Sequence, residues 1–188
     1  MKDLKGICCA LCTPFTHDGE KVDEVALRIH IDSMIEAGIH IILVCGGTGE
    51  FAYLRPEERR RIAEIAGKHI DGRADFMVQT TTINTVDGIE YAKHAEGVGA
   101  DCLLVLPPYF EGPDANGVYD HFERIAGAVD IPLMPYNIPV HSGFDITPEF
   151  FKRLMQIPSI RYIKDSTADI VRIQELLSIG AKVFNGGD

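Results

Sequence analysis

No apolar run in this sequence approaches the ~20 residues that a bilayer-crossing helix needs. The longest, IILVC at 41–45 and CLLVLPPYF at 102–110, fall far short. No charged-apolar-small leader opens the chain, so a cytoplasmic protein is expected. Positive charge is scarce: 18 Lys and Arg stand against 28 Asp and Glu, for a net charge of −10. The one basic run, Arg59-Arg60-Arg61, falls where an exposed helix face is expected. Without a basic stripe, neither nucleic acid nor an anionic membrane is an expected partner.

Metal-ligand patterns are missing too. The five cysteines include no CxxC pair with a matching distant partner, and the seven histidines form neither HxH nor HExxH. Strand alternation puts Cys8 and Cys12 on one face and Cys9 on the other. All five are expected to be reduced and packed as small apolar residues. No metal and no organic cofactor is expected.

What the sequence does contain is a repeating order of short strand, loop and helix. Strands are expected at 6–13, 39–46, 75–80, 102–108, 131–137, 160–165 and 181–186. Several are continuously apolar, as in a parallel sheet covered on both faces. Helices are expected at 23–36, 56–70, 86–98, 116–129, from Pro148, and at about 167–178. The first should be capped by Asp23, with Val25, Ala26, Ile29 and Ile35 on one face. The second has Pro56 at its first position and Glu57 and Glu58 in its first turn, behind Arg55, a poor cap residue. The fourth should turn Val118, Phe122, Ile125 and Val129 inward, and Thr147 should cap the helix that starts at Pro148.

Seven strands in strict alternation with helices predict an α/β fold, a (β/α)₈ barrel here truncated after strand seven. Residues 1–188 read as a single barrel domain, with no internal linker. Such barrels run to ~250 residues. The chain ends on NGGD just after the seventh strand, so a longer polypeptide is expected, with an eighth βα unit.

In this fold the chemistry gathers at the C-terminal ends of the strands. Those ends hold Thr13, the loop GGTGE (46–50), Gln79 to Thr82, PPYF (107–110), YNIP (136–139), Lys164 and the final GGD. Lys164 ends strand six, so its stem should cross apolar interior while its amine enters the cavity. Desolvation there favours the neutral amine, as a Schiff-base lysine requires. The competing reading is a lysine that reaches solvent or pairs with Asp165. The amides of GGTGE suit an anion, and Thr48 adds one hydroxyl; with no GK[ST], nucleoside triphosphate binding is not expected. Tyr136 reads either as a packed core tyrosine or as a phenol that moves protons.

GGTGEFAYLRPEER, LPPYF, YNIPVHSG and YIKDS, in this order and spacing, resemble the family of Schiff-base lyases that includes N-acetylneuraminate lyase and dihydrodipicolinate synthase. The resemblance spans essentially the whole chain. It implies a (β/α)₈ barrel followed by a C-terminal helical region, assembled as homotetramers. By the same resemblance Lys164 is the lysine that forms an imine with pyruvate or another 2-oxo acid, and Tyr136 the tyrosine that shuttles protons. Gly47, Thr48 and Gly49 match the loop that grips the 2-oxo acid carboxylate.

Three departures bear on the branch. Synthases of the family carry two adjacent hydroxyl residues where this chain has Gly47 and Thr48, and a tyrosine where it has Phe110, although Tyr109 lies next to it. They place an arginine where His141 stands. Each change removes a polar group that synthase chemistry uses. The expected activity is therefore a class I lyase, aldol, retro-aldol or dehydratase, on a 2-keto-3-deoxy sugar acid or sialic-acid-like substrate. Lys164, Tyr136 and Thr48 would be catalytic, with Gly47, Gly49, Phe110 and His141 binding substrate. The alternatives are dihydrodipicolinate synthase (4-hydroxy-tetrahydrodipicolinate synthase), a 2-oxo acid sensor without catalysis, and a phosphate-binding barrel.

Overall fold

A computed structural model describes residues 3–187. The elements run β1 (Cys8–Ala10), α1 (Glu24–Glu36), β2 (Ile41–Val44), α2 (Pro56–Ile70), β3 (Asp75–Gln79), α3 (Thr85–Gly97), β4 (Cys102–Val105), α4 (Ala115–Ala126), β5 (Leu133–Asn137), α5 (Pro139–Ser142), α6 (Pro148–Leu154), β6 (Tyr162–Asp165), α7 (Ile170–Ser178) and β7 (Lys182–Asn185). Strand order follows chain order, β1 through β7. This is the α/β arrangement of a (β/α)₈ barrel carried through seven strands. The chain divides into two compact units, one up to Thr80 with Lys93–Leu103, the other Thr81–Ala92 with the chain from Leu104 onward.

In the first unit β2 pairs in parallel with β1 and β3, Cys8 opposite Ile41 and Ile41 opposite Asp75. All four β2 residues are buried, which accounts for their unbroken apolar run. Asp23 caps α1, accepting from the amides of Val25 and Ala26. The helix turns a different face inward from the one expected. Leu27 and Ile31 are buried, while Val25 and Ile29 stand outward, 64% and 61% exposed. Both faces carry apolar residues, so composition alone does not orient this helix.

Helix α2 starts at Pro56 behind Arg55, as expected. Arg55 has no side-chain acceptor to offer, and Glu58 supplies the missing chemistry. One of its oxygens accepts from the Arg55 amide at 2.8 Å and the other from the Arg55 guanidinium at 2.7 Å. The expected exposed face at 59–61 requires correction. Arg59 lies on the same stripe as Ile62, Ala63, Ala66 and Ile70 and is buried with them. Its guanidinium donates to the Gln79 carbonyl at 3.1 Å and lies over the Phe51 ring.

In the second unit β6 pairs in parallel with β5 and β7. Asp114 caps α4, and Val118, Phe122, Ile125 and Val129 are buried as expected, although the helix ends at Ala126. Thr147 caps α6, its hydroxyl accepting from the Phe150 amide. Helix α7 begins at Ile170 rather than near 167, because Thr167 is tied to Asp165 and Ala168 is left-handed at φ 58°. The one-turn helix α5 has no counterpart in the sequence reading. Pro139 opens it and Gly143, at φ 71°, closes it, a position that suits glycine.

All five cysteines are free thiols; Cys45 and Cys102 are buried, whereas Cys12 is exposed. Burial pushes the Cys45 thiol up to about 12, so it packs as a small apolar group. Among the described residues no helix is long and apolar enough to cross a membrane.

Candidate active site

The centre of the site lies at the C-terminal ends of β5 and β6. The register sets Tyr136 directly beside Lys164, and Asn137 beside Asp165. Side chains alternate along a strand, so the first pair emerges on one face of the sheet and the second on the other. Lys164 and Tyr136 are both half-buried. The Lys164 Nζ lies 4.1 Å from the centre of the Tyr136 ring, and the Tyr136 hydroxyl is 3.5 Å from Ser166 Oγ.

Gly186, just past β7, closes in on the lysine stem. A β-carbon at this position would overlap Ser166 Oγ and lie 2.9 Å from Lys164 Cε. The amide of Gly186 donates to the Asp165 carbonyl at 2.7 Å, which fixes the glycine there.

Asp165 does not pair with Lys164. It is fully buried, and its oxygens accept from Thr167 N at 3.0 Å, Thr167 Oγ1 at 2.5 Å and Asn137 Nδ2 at 2.8 Å. Asn137 is also fully buried; its Oδ1 accepts from Ile146 N at 2.9 Å, and Nδ2 also faces Asp145 Oδ1 at 3.3 Å. Arg172, in the first turn of α7, forks onto Asp145 at 2.6 and 2.8 Å. The Arg172 guanidinium holds the Asp145 carboxyl below the usual carboxylate range, with help from Asn137.

The other expected site residues are distributed differently. His141 sits in the last turn of α5 and is exposed; its amide donates to Ile138 O at 2.9 Å, while its ring makes no hydrogen bond or ion pair among the described residues. Phe110 is 81% exposed and left-handed at φ 60°, followed by Glu111 at φ 53°. A bulky residue rarely takes this backbone conformation. Neither has a described contact with Lys164 or Tyr136.

Gly47, Thr48 and Gly49 belong to the first unit. They form a turn after β2 in which Glu50 N donates to Gly47 O and Phe51 N to Gly46 O. The buried Thr13 hydroxyl donates to Gly49 O at 2.7 Å and pins the loop to the chain beyond β1. Gly47 and Thr48 are exposed, and the amides of residues 47–49 meet no backbone acceptor among the described residues. This leaves N–H groups able to hold an anion.

Sequence reasoning gave no role to Ser166, Asn137 or Gly186, although they stand inside YIKDS, YNIP and the strand-end GGD, and it missed Arg172. What Asn137, Gly186 and Arg172 do depends on neighbours distant in the chain, which no local pattern reveals. Among the described residues no cluster of His, Cys, Asp or Glu is arranged to hold a metal ion.

A profile of the dihydrodipicolinate synthetase family matches residues 3–188. The 4-hydroxy-tetrahydrodipicolinate synthase of Salinibacter ruber is 39% identical over 189 residues, covering 98% of this chain and 62% of that protein. The crystal structure of dihydrodipicolinate synthase from Aquifex aeolicus superposes with a TM-score of 0.93 at 36% identity, over 97% of this chain and 63% of the other. YagE, a prophage protein of the dihydrodipicolinic acid synthase family from E. coli K12, was solved in complex with pyruvate. It superposes at 0.92 with 32% identity, over 96% of this chain and 63% of the other. The chain thus spans about three-fifths of the length of these relatives.

Proposed function

Because the chain belongs to the dihydrodipicolinate synthetase family, we propose that Lys164 forms an imine with a 2-oxo acid and that Tyr136 moves the protons this chemistry requires. The observation that carries the reading is the direct register of Tyr136 and Lys164, with the amine 4.1 Å from the ring centre. An amine adding to a ketone gives a carbinolamine, and loss of water gives an iminium. The iminium withdraws electrons from the adjacent carbon, so a proton can leave it and an enamine forms near neutral pH. Each step moves a proton, and a phenol beside the amine can carry it. By the family resemblance, Gly47, Thr48 and Gly49 grip the acid's carboxylate, and fixing it would convert part of the entropic barrier into binding.

The reaction we infer is condensation of pyruvate with aspartate semialdehyde, the 4-hydroxy-tetrahydrodipicolinate synthase activity. Support comes from relatives near 40% identity that carry that name. This ranks ahead of the sugar-acid lyase expected from sequence. Glycine at 47 and histidine at 141 still favour the lyase as a second reading, since both replace polar groups of synthase chemistry. Assembly as a homotetramer follows from the family resemblance.

The test follows pyruvate by proton NMR, with aspartate semialdehyde in one series and a 2-keto-3-deoxy sugar acid in the other. Consumption of pyruvate with the semialdehyde, slowed about 10²–10⁴-fold in Tyr136→Phe, is the expected result. Release of pyruvate from the sugar acid, with no consumption in the first series, would replace the synthase reading by the lyase.

A further inference from the structure

Immediately behind the Tyr136–Lys164 pair, on the opposite face of the same two strands, lies a polar cluster that the reading above does not use. It joins Asn137 and Asp165 at the ends of β5 and β6, Asp145 in the segment before α6, and Arg172 on α7. We propose that Asn137 and Asp165, braced by Asp145 and Arg172, are positioning residues. They hold the Tyr136 hydroxyl and the Lys164 amine in register for the proton transfers that follow imine formation. The proposal rests on the reading of Lys164 as the imine-forming amine.

The placement carries the argument. Asn137↔Asp165 is the next pair along the ladder from Tyr136↔Lys164, so it lies ~3.3 Å further along the strands. Here both strands end, and the ladder closes with Ser166 N donating to Asn137 O at 2.9 Å. Strand ends without side-chain support are free to slide or fray. At this end the Asn137 amide bridges β5 to β6 and also to the 145–146 backbone and side chain, using its oxygen and both N–H groups.

Arg172 then anchors Asp145 through two parallel hydrogen bonds, a geometry that fixes orientation as well as distance. A fully buried Asp165 survives only because its oxygens meet donors. An apolar pair could fill the same volume with no such requirement. What the polar version adds is a single permitted alignment of the two strand ends, immediately behind the two reacting groups.

The test uses the full chain and compares wild type with Asn137→Ala, Arg172→Met and Arg172→Lys. Two quantities are read on each sample. One is the fraction of chains trapped by borohydride with pyruvate, which reports the imine. The other is the rate of deuterium exchange into the pyruvate methyl group, which reports proton transfer at the neighbouring carbon. The ratio of exchange to trapping is independent of how much protein is folded.

For Asn137→Ala and Arg172→Met the expected ratio falls between about 10- and 100-fold, the penalty for small misplacements of reacting groups. Arg172→Lys, which keeps the charge without the fork, should fall between Arg172→Met and wild type. An unchanged ratio in Arg172→Met, whether or not Asn137→Ala folds, means the cluster serves stability alone and overturns the proposal. Failure of wild type to be trapped at all removes the imine reading instead, a separate and recognisable outcome.

Discussion

At the scale of single residues, the site depends as much on a missing side chain as on those present. Gly186 makes room for the lysine stem, because any β-carbon there would overlap Ser166 Oγ and press on Lys164 Cε. Gly186→Ala is therefore expected to push the amine away from the Tyr136 ring. Imine trapping with pyruvate should slow by about 10²-fold, the effect of an ångström-scale displacement, with the far-ultraviolet circular dichroism unchanged. Trapping at the wild-type rate would show that the stem does not follow this path. Lys164 and Tyr136 were legible in the sequence because each sits at a strand end within a recognisable motif. Gly186 was legible only as part of a strand-end GGD, since its role comes from side chains some twenty residues earlier in the chain.

At the scale of elements, strand and helix order could be read from sequence, whereas the orientation of some helices could not. The buried runs of β2 and β4 and the proline-led starts of α2 and α6 are local signals, and each stands where it was expected. The inward face of α1 is set by what packs on it, as is the burial of Arg59. Helix α4 shows a further case in His121, which no local motif marks. This histidine is 2% exposed and contacts Thr85 Oγ1 of α3 through Nδ1 at 3.0 Å, while Nε2 meets no partner among the described residues.

Burial, then the nearby Arg124 charge, pull the His121 pKa down to about 4. Below pH 6.5 the unfolded chain therefore takes up a proton that the folded chain refuses until about pH 4. Stability should fall across that window as pH drops, by about 3 kcal/mol in total. Urea unfolding between pH 4 and 7.5 reads this loss, and His121→Leu should remove most of it. An equally steep acid limb in that variant would assign the loss to other groups.

At the scale of the whole chain, two kinds of information meet. Alternation of strand and helix, with strands apolar on both faces, points to a (β/α)₈ barrel, and the sequential parallel strands agree. The fold itself does not determine the reaction, because this architecture carries many chemistries. The choice among them rests on one amine at the end of β6 and on relatives of which this chain spans about three-fifths.

The most direct test treats the folded chain with pyruvate and borohydride and then maps its tryptic peptides. A reduced adduct blocks cleavage at Lys164, so the modification is expected on the peptide YIKDSTADIVR, residues 162–172. An adduct on another lysine, or none at all from folded protein across a panel of 2-oxo acids, would contradict the assignment of Lys164.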